Sequence, residues 1–208
     1  MVISYAITTH NEYEEINELL GILVHHIDSD DEIVILDDYS DERTQEVFTA
    51  WMSQYQQINW KLEQRALNKD FAAQKNYLTS ICKGSYIFNI DADEIPHPIL
   101  VSQIKEILKI NEVDLIWLPR VNTVEGITEE HIQKWGWRVN EQGWVNFPDY
   151  QGRIWRNRQN IRWEKPVHEQ LVGYKEHTFL PQEEEFCFYH HKEIERQEKQ
   201  NKFYGGIV

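Results

Sequence analysis

The run Ser85-Tyr86-Ile87-Phe88-Asn89-Ile90-Asp91-Ala92-Asp93-Glu94 carries the sharpest chemical signal in this chain. An apolar stretch with the length and composition of a buried strand stops abruptly at three carboxylates. Acids gathered at a strand end call for positive charge beside them. A divalent cation carrying a nucleotide diphosphate supplies it, because hard cations take oxygen ligands and bridge carboxylates to phosphates. Two more polar clusters follow apolar stretches of the same kind: Thr8-Thr9-His10-Asn11-Glu12 and Asp37-Asp38. Side by side, the three would line one crevice suited to sugar-nucleotide chemistry. The plainer alternative makes Asp91 and Asp93 turn or cap acids beside Pro96, and Asp37 and Asp38 the start of a helix.

The elements that must position these clusters alternate along the chain. Strands are expected at residues 2–8, 32–36, 58–64, 86–90 and 114–121. Between them lie amphipathic helices: one with Ile16, Leu19, Leu20, Leu23, Val24 and Ile27 on one stripe, one with Val47, Phe48, Trp51 and Tyr55, one over 71–82 and one opened by Pro98. Asn11 is the expected cap of the first helix, with Glu14 in the reach-back position, and Ser40 or Asp41 caps the second. Apolar strands alternating with helices imply a mostly parallel α/β sheet covered on both faces. Ligands bind such sheets beyond the carboxyl ends of the strands, where all three clusters sit.

Composition narrows the function class. The chain has 208 residues, enough for one domain, and is 41% hydrophobic and 27% charged, which describes a globular fold. A net charge of -14 without a Lys/Arg run excludes sequence-independent nucleic-acid binding, since neutralising phosphates supplies most of that affinity. Cys82 and Cys187 have no metal or redox spacing, as in a reduced cytoplasmic protein. No stretch reaches the roughly 18 apolar residues needed to span a bilayer, and no signal peptide is visible.

With these motifs in hand, the chain resembles family 2 glycosyltransferases of the GT-A fold. The strand followed by Thr8-Thr9-His10-Asn11-Glu12 is similar to that family's opening, with Thr8 in place of its usual Pro. Asp37-Asp38-Tyr39-Ser40-Asp41-Glu42-Arg43-Thr44 resembles its second motif, with Tyr39 in place of Gly, so that no positive φ is expected there. Ala73-Gln74-Lys75-Asn76 resembles a third, with Lys75 for Arg. Asp91-Ala92-Asp93-Glu94 matches a fourth outright. Pro148-Asp149-Tyr150-Gln151 with Arg153, and Val167-His168-Glu169, are similar to a bacterial subgroup that decorates lipopolysaccharide cores or peptides.

The resemblance implies a UDP-type nucleotide-sugar donor, a saccharide or glycoconjugate acceptor, a Mn²⁺ or Mg²⁺ cofactor and an inverting mechanism. It implies that Thr8, Thr9, Asn11, Glu12, Asp37 or Asp38, Lys75, Asp91, Ala92 and Asp93 surround the donor. Asp93 is the first expected metal ligand and Asp91 the second. His190 or His191 completes the site; neighbours on a strand face opposite ways, so only one can. Glu169 is the first expected general base and Asp149 the second. The expected organisation is one domain over 1–208, with a nucleotide-sugar half at 1–122 and an acceptor half at 123–208. The expected location is cytoplasmic, or at a membrane surface through the acceptor, with homo-oligomerisation left open. Two rivals stay in view: a non-catalytic nucleotide-sugar-binding module, and a sugar-phosphate nucleotidyltransferase, which would want a Gly-rich basic phosphate loop near the N-terminus.

The stretch 126–142 shows few strand or helix signals apart from a short helix at 129–135, and a loop that long is often a functional lid; the aromatic-rich stretch 135–163 reads as poor in regular structure. Most of its aromatics (Trp135, Trp137, Trp144, Phe147, Tyr150, Trp155, Trp163) are expected in a core, with one or two facing acceptor. Residues 192–204 read as a charged helix that packs by its end or meets a partner chain. Glu183-Glu184-Glu185 reads as a solvated loop.

Overall fold

The computed structural model describes residues 1–205, with side chains through Lys199. Nine strands form one sheet. β1 (Ile3–Thr9), β2 (Glu32–Asp37), β3 (Asn59–Gln64) and β4 (Tyr86–Asp91) are parallel, in the order β3-β2-β1-β4. The sheet continues through β7 (Val145–Arg156), β6 (Leu115–Glu125), β11 (Phe188–Glu193) and the two-residue β5 (Ile95–Pro96); β10 (His177–Phe179) pairs with the start of β6. β7 runs antiparallel to both its neighbours. A small hairpin, β8 (Arg162–Glu164) with β9 (Gln170–Val172), stands apart.

Strand alternation builds two cores. Ile3, Tyr5, Ile7, Ile33, Ile35, Phe88 and Ile90 face one side, with α1 (Tyr13–His26), α2 (Glu42–Gln54) and α4 (Pro98–Ile110). Ala6, Val34, Leu36 and Ile87 face the other, against α3 (Phe71–Ile81) and the hairpin. Burial on both faces explains why these strands read as continuous apolar runs. The register places Thr9 beside Asp37 and Thr8 beside Asp91, so the three polar clusters do meet at one end of the sheet.

Several local expectations are corrected. Asn11 does not cap α1; the N-cap position is Glu12, without a side-chain cap bond. Asn11 instead adopts φ 57°, which Asn tolerates, and its side-chain oxygen accepts from Asp41 N at 2.7 Å. Asp41 is the cap of α2. Tyr39 sits at φ 51°, so the turn after β2 does need a left-handed residue and holds a bulky one there. The Ser40 N–H donates to both Asp37 oxygens at 3.1 Å and fixes that turn.

The largest correction is β7. It spans twelve residues of the stretch expected to be irregular and lies in the middle of the sheet. Pro148 and Gly152 break its strand signature, and the pairing with β6 shifts register near both. Only Trp155 and Trp163 of the seven aromatics are buried; the other five are half-buried. The short helix there, α5 (Glu129–Trp135), falls where expected, capped by Thr128. The expected charged helix appears as α6 (Ile194–Gly205), entered directly from β11. Among the described residues no helix is long and apolar enough to cross a membrane.

Candidate active site

A cavity of about 750 Å³ opens beyond the carboxyl ends of β1, β2 and β4. Thr8, Thr9, Glu12, Asp38, Lys75, Asp91, Asp93, Glu169 and His190 line it. Thr8 donates its hydroxyl to Asp91 Oδ1 at 2.9 Å. Thr9 Oγ1 is buried with no hydrogen-bond partner, which leaves a polar atom waiting at the cavity wall. Asp38 holds the Leu67 N–H at 3.0 Å across the mouth.

Other expected residues fall outside the lining. Asp37 is fully buried, and Gln45 and Gln64 donate to its carboxylate in addition to Ser40. It shapes the β2 turn, and Asp38 alone of the pair reaches the cavity. Ala92 packs its methyl into the core, and its N–H donates to Thr8 O at 3.1 Å. His191 points away from the cavity and bonds Thr123; its neighbour His190 points in, as strand alternation requires.

The acids at the end of β4 are held by Lys75, expected near the donor, and by Arg120 and Arg153, for which no role was expected. Arg153 on β7 is 5% exposed and donates to Asp91 Oδ2 at 2.9 Å and Glu94 Oε1 at 2.5 Å. Arg120 on β6 reaches Glu94 at 2.8 Å and Asp149 at 2.6 Å. Lys75 on α3 lies 3.3 Å from Asp91 and 2.8 Å from Glu169, with its ammonium 4.9 Å from the Trp163 ring centroid. Burial works against the Asp91 charge, but Lys75 and Arg153 outweigh it and hold that carboxyl far below the usual range. Asp149 is likewise lowered: burial opposes its charge, and Arg120 with the Asn122 hydrogen bond prevails. Burial and the Asp93 charge push Glu12 up to about 8.

A signal for Arg120 was present: an arginine inside the apolar run Leu115–Val121 needs a buried acid. Arg153 stood in a quoted motif without a role. Arg196, in a helix charged all round, gave no signal.

The donor set around Asp93 fits a divalent cation. Asn122 donates through Nδ2 to Asp149 at 2.9 Å, so its Oδ1 faces His190 Nδ1 at 2.9 Å and that nitrogen must carry the proton. His190 Nε2 then confronts Asp93 Oδ2 at 3.2 Å. Two acceptors do not sit together unless the ring is doubly protonated or a cation lies on both. Their separation matches the ~3 Å edge between neighbouring ligands held ~2.1 Å from one ion. Oxygen plus imidazole suits Mn²⁺. Asp91, already taken by Thr8, Lys75 and Arg153, is less free to take a cation.

A curled, mostly parallel sheet with acids at its switch between β1 and β4 defines the GT-A class of α/β domains. The chain belongs to glycosyl transferase family 2, whose model matches residues 4–191. That membership places it among the glycosyltransferases. Among solved structures it is similar to S. aureus TarS 1–349 in complex with UDP-GlcNAc: TM-score 0.66, 15% identity, 92% of this chain and 59% of that one. TarS 1–349 in complex with UDP gives TM-score 0.64 at 14% identity, covering 92% and 60%. The chain thus spans about 60% of the TarS 1–349 length, and at these identities the likeness establishes the fold alone. A search of curated proteins finds no match.

Proposed function

We propose that this domain transfers a sugar from a UDP-type nucleotide donor to a saccharide-type acceptor, with a divalent cation and inversion at the anomeric carbon. The observation that supports this most is the meeting of Thr9, Asp38, Asp91 and Asp93 in one cavity with Glu169. Asp38 and the unpartnered Thr9 hydroxyl offer polar contacts to base and ribose. Asp93 and His190 would hold a Mn²⁺ or Mg²⁺ ion, which when bound neutralises the diphosphate leaving group. Lys75 adds a second positive contact there. Glu169 takes the proton from the acceptor hydroxyl as it attacks. Its ion pair with Lys75 at 2.8 Å holds the carboxylate at the cavity wall. Asp149 lies outside the cavity lining and orients Arg120, so the base role goes to Glu169.

A screen of nucleotide sugars by thermal shift, with and without Mn²⁺, tests the reading. A donor at 100 times its dissociation constant adds about 2.7 kcal/mol of stability. The expected result is a Mn²⁺-dependent shift with a UDP-sugar, lost in Asp93→Asn. If no nucleotide sugar moves the melting point, the reading fails.

A further inference from the structure

Arg196 reaches from the first turn of α6 into the cavity mouth. Its guanidinium lies 2.6 Å from Glu12 Oε1, 2.6 Å from Glu15 Oε1 and 3.2 Å from Asp93 Oδ2. That last oxygen is the one His190 Nε2 faces at 3.2 Å. The carboxylate with the best claim on a cation therefore already carries one, supplied by the protein. A divalent ion on that oxygen would face the Arg196 guanidinium at close range, and like charges repel most where water is scarce. The helix that brings Arg196 has no apolar stripe in its first turns, Ile194-Glu195-Arg196-Gln197-Glu198-Lys199. Gln197 and Lys199 line the same cavity. Among the described residues, the Arg196 ion pairs hold the first turn of α6 at the mouth.

We propose that Arg196 exchanges partners during donor binding: it occupies Asp93 in the empty enzyme, yields that oxygen to the divalent cation, and turns to the donor diphosphate. A guanidinium suits the second task because its fork matches phosphate oxygens. This rests on the reading of the cavity as a cation–diphosphate site.

The test uses the full chain and two probes, Mn²⁺ alone and UDP with saturating Mn²⁺. In Arg196→Gln, Mn²⁺ alone binds about 5-fold tighter by electron paramagnetic resonance, since its competitor is gone. UDP binds about 10-fold weaker by calorimetry, about one charge-assisted contact at 1.4 kcal/mol per decade. Arg196→Lys keeps Mn²⁺ affinity near wild type and loses part of the UDP affinity. Opposite signs are the signature; both affinities falling together in Arg196→Gln marks a structural role and overturns the exchange, as does an unchanged Mn²⁺ affinity. Wild type that binds neither Mn²⁺ nor UDP removes the underlying reading and the exchange with it. Wild type that binds both, beside an unshifted variant, removes the exchange alone.

Discussion

Asp28, Asp30 and Asp31 lie just before β2, at the end of the sheet away from the cavity. Asp91 ends β4, and Asp93 and Glu94 follow it, at the cavity. The first group brings one ligand oxygen from each acid within 4.8 Å of one another, yet Lys105 fills it at 2.9, 2.7 and 2.8 Å from the three carboxylates. It opens on solvent and holds α4 against the start of β2. The second group is spread among Lys75, Arg120, Arg153 and Arg196, each shared between acids, with His190 beside Asp93, and a cavity opens between them. Acid density by itself is therefore no sign of a site. One dedicated lysine makes a clip; several shared cations around an opening make a place where an incoming charge can change the pairing.

The largest effect that would sharpen this contrast is at Glu94. It is 1% exposed and joins Arg120 to Arg153. Glu94→Gln leaves two buried guanidiniums short of a charge, and should cost about 3–5 kcal/mol in urea unfolding. A loss under about 1 kcal/mol would show that the cavity network is as dispensable as a surface pair. Wild-type stability also depends on Arg153, so Arg153→Met combined with Glu94→Gln should cost less than the sum of the two singles.

Legibility divides along the same line. The acids could be read because strands β1, β2 and β4 are buried on both faces, and a polar cluster stands out at the end of an apolar run. Two of the cations that hold them, Arg153 and Arg196, could not. Arg153 sits on β7, whose Pro148, Asp149, Gln151 and Gly152 hide a central strand, because that strand's inner positions serve the cavity rather than the core. Arg196 sits on a helix with no apolar face to predict where it packs. Tyr39 departs from expectation for another reason: a tyrosine at positive φ is strained, and the bonds from Ser40 to Asp37 and from Asn11 to Ser40 hold that turn.

A smaller effect is expected at the clip. Asp31 is 1% exposed and accepts the Ile3 N–H at 2.9 Å, so Lys105→Met strands a buried carboxylate and should cost about 1–3 kcal/mol. The pH dependence identifies the cause. Burial already raises the Asp31 carboxyl above its usual range, and Lys105 opposes that rise. Without Lys105 the carboxyl rises further, so the folded variant binds a proton more readily than its unfolded chain. Its deficit is full at neutral pH and shrinks as pH falls through the Asp31 titration. Urea midpoints for wild type and variant that converge on acidification support this; a pH-independent gap would mean that lost packing of the lysine stem is responsible.

The smallest effect is at Asp28, and it bears most directly on the contrast. Its carboxylate is 64% exposed, so Asp28→Asn removes one of three partners of Lys105 where water already screens the pair. Stability should change by no more than about 0.5 kcal/mol. Mn²⁺ binding, followed by electron paramagnetic resonance, should not change at all, because the ammonium of Lys105 remains on Asp31 and bars a second cation. In Asp93→Asn the same measurement should lose the bound ion. Should Asp28→Asn weaken Mn²⁺ binding while Asp93→Asn spares it, the two ends of the sheet have been assigned the wrong way round: the exposed triad would be the metal centre, and Lys105 its displaceable occupant.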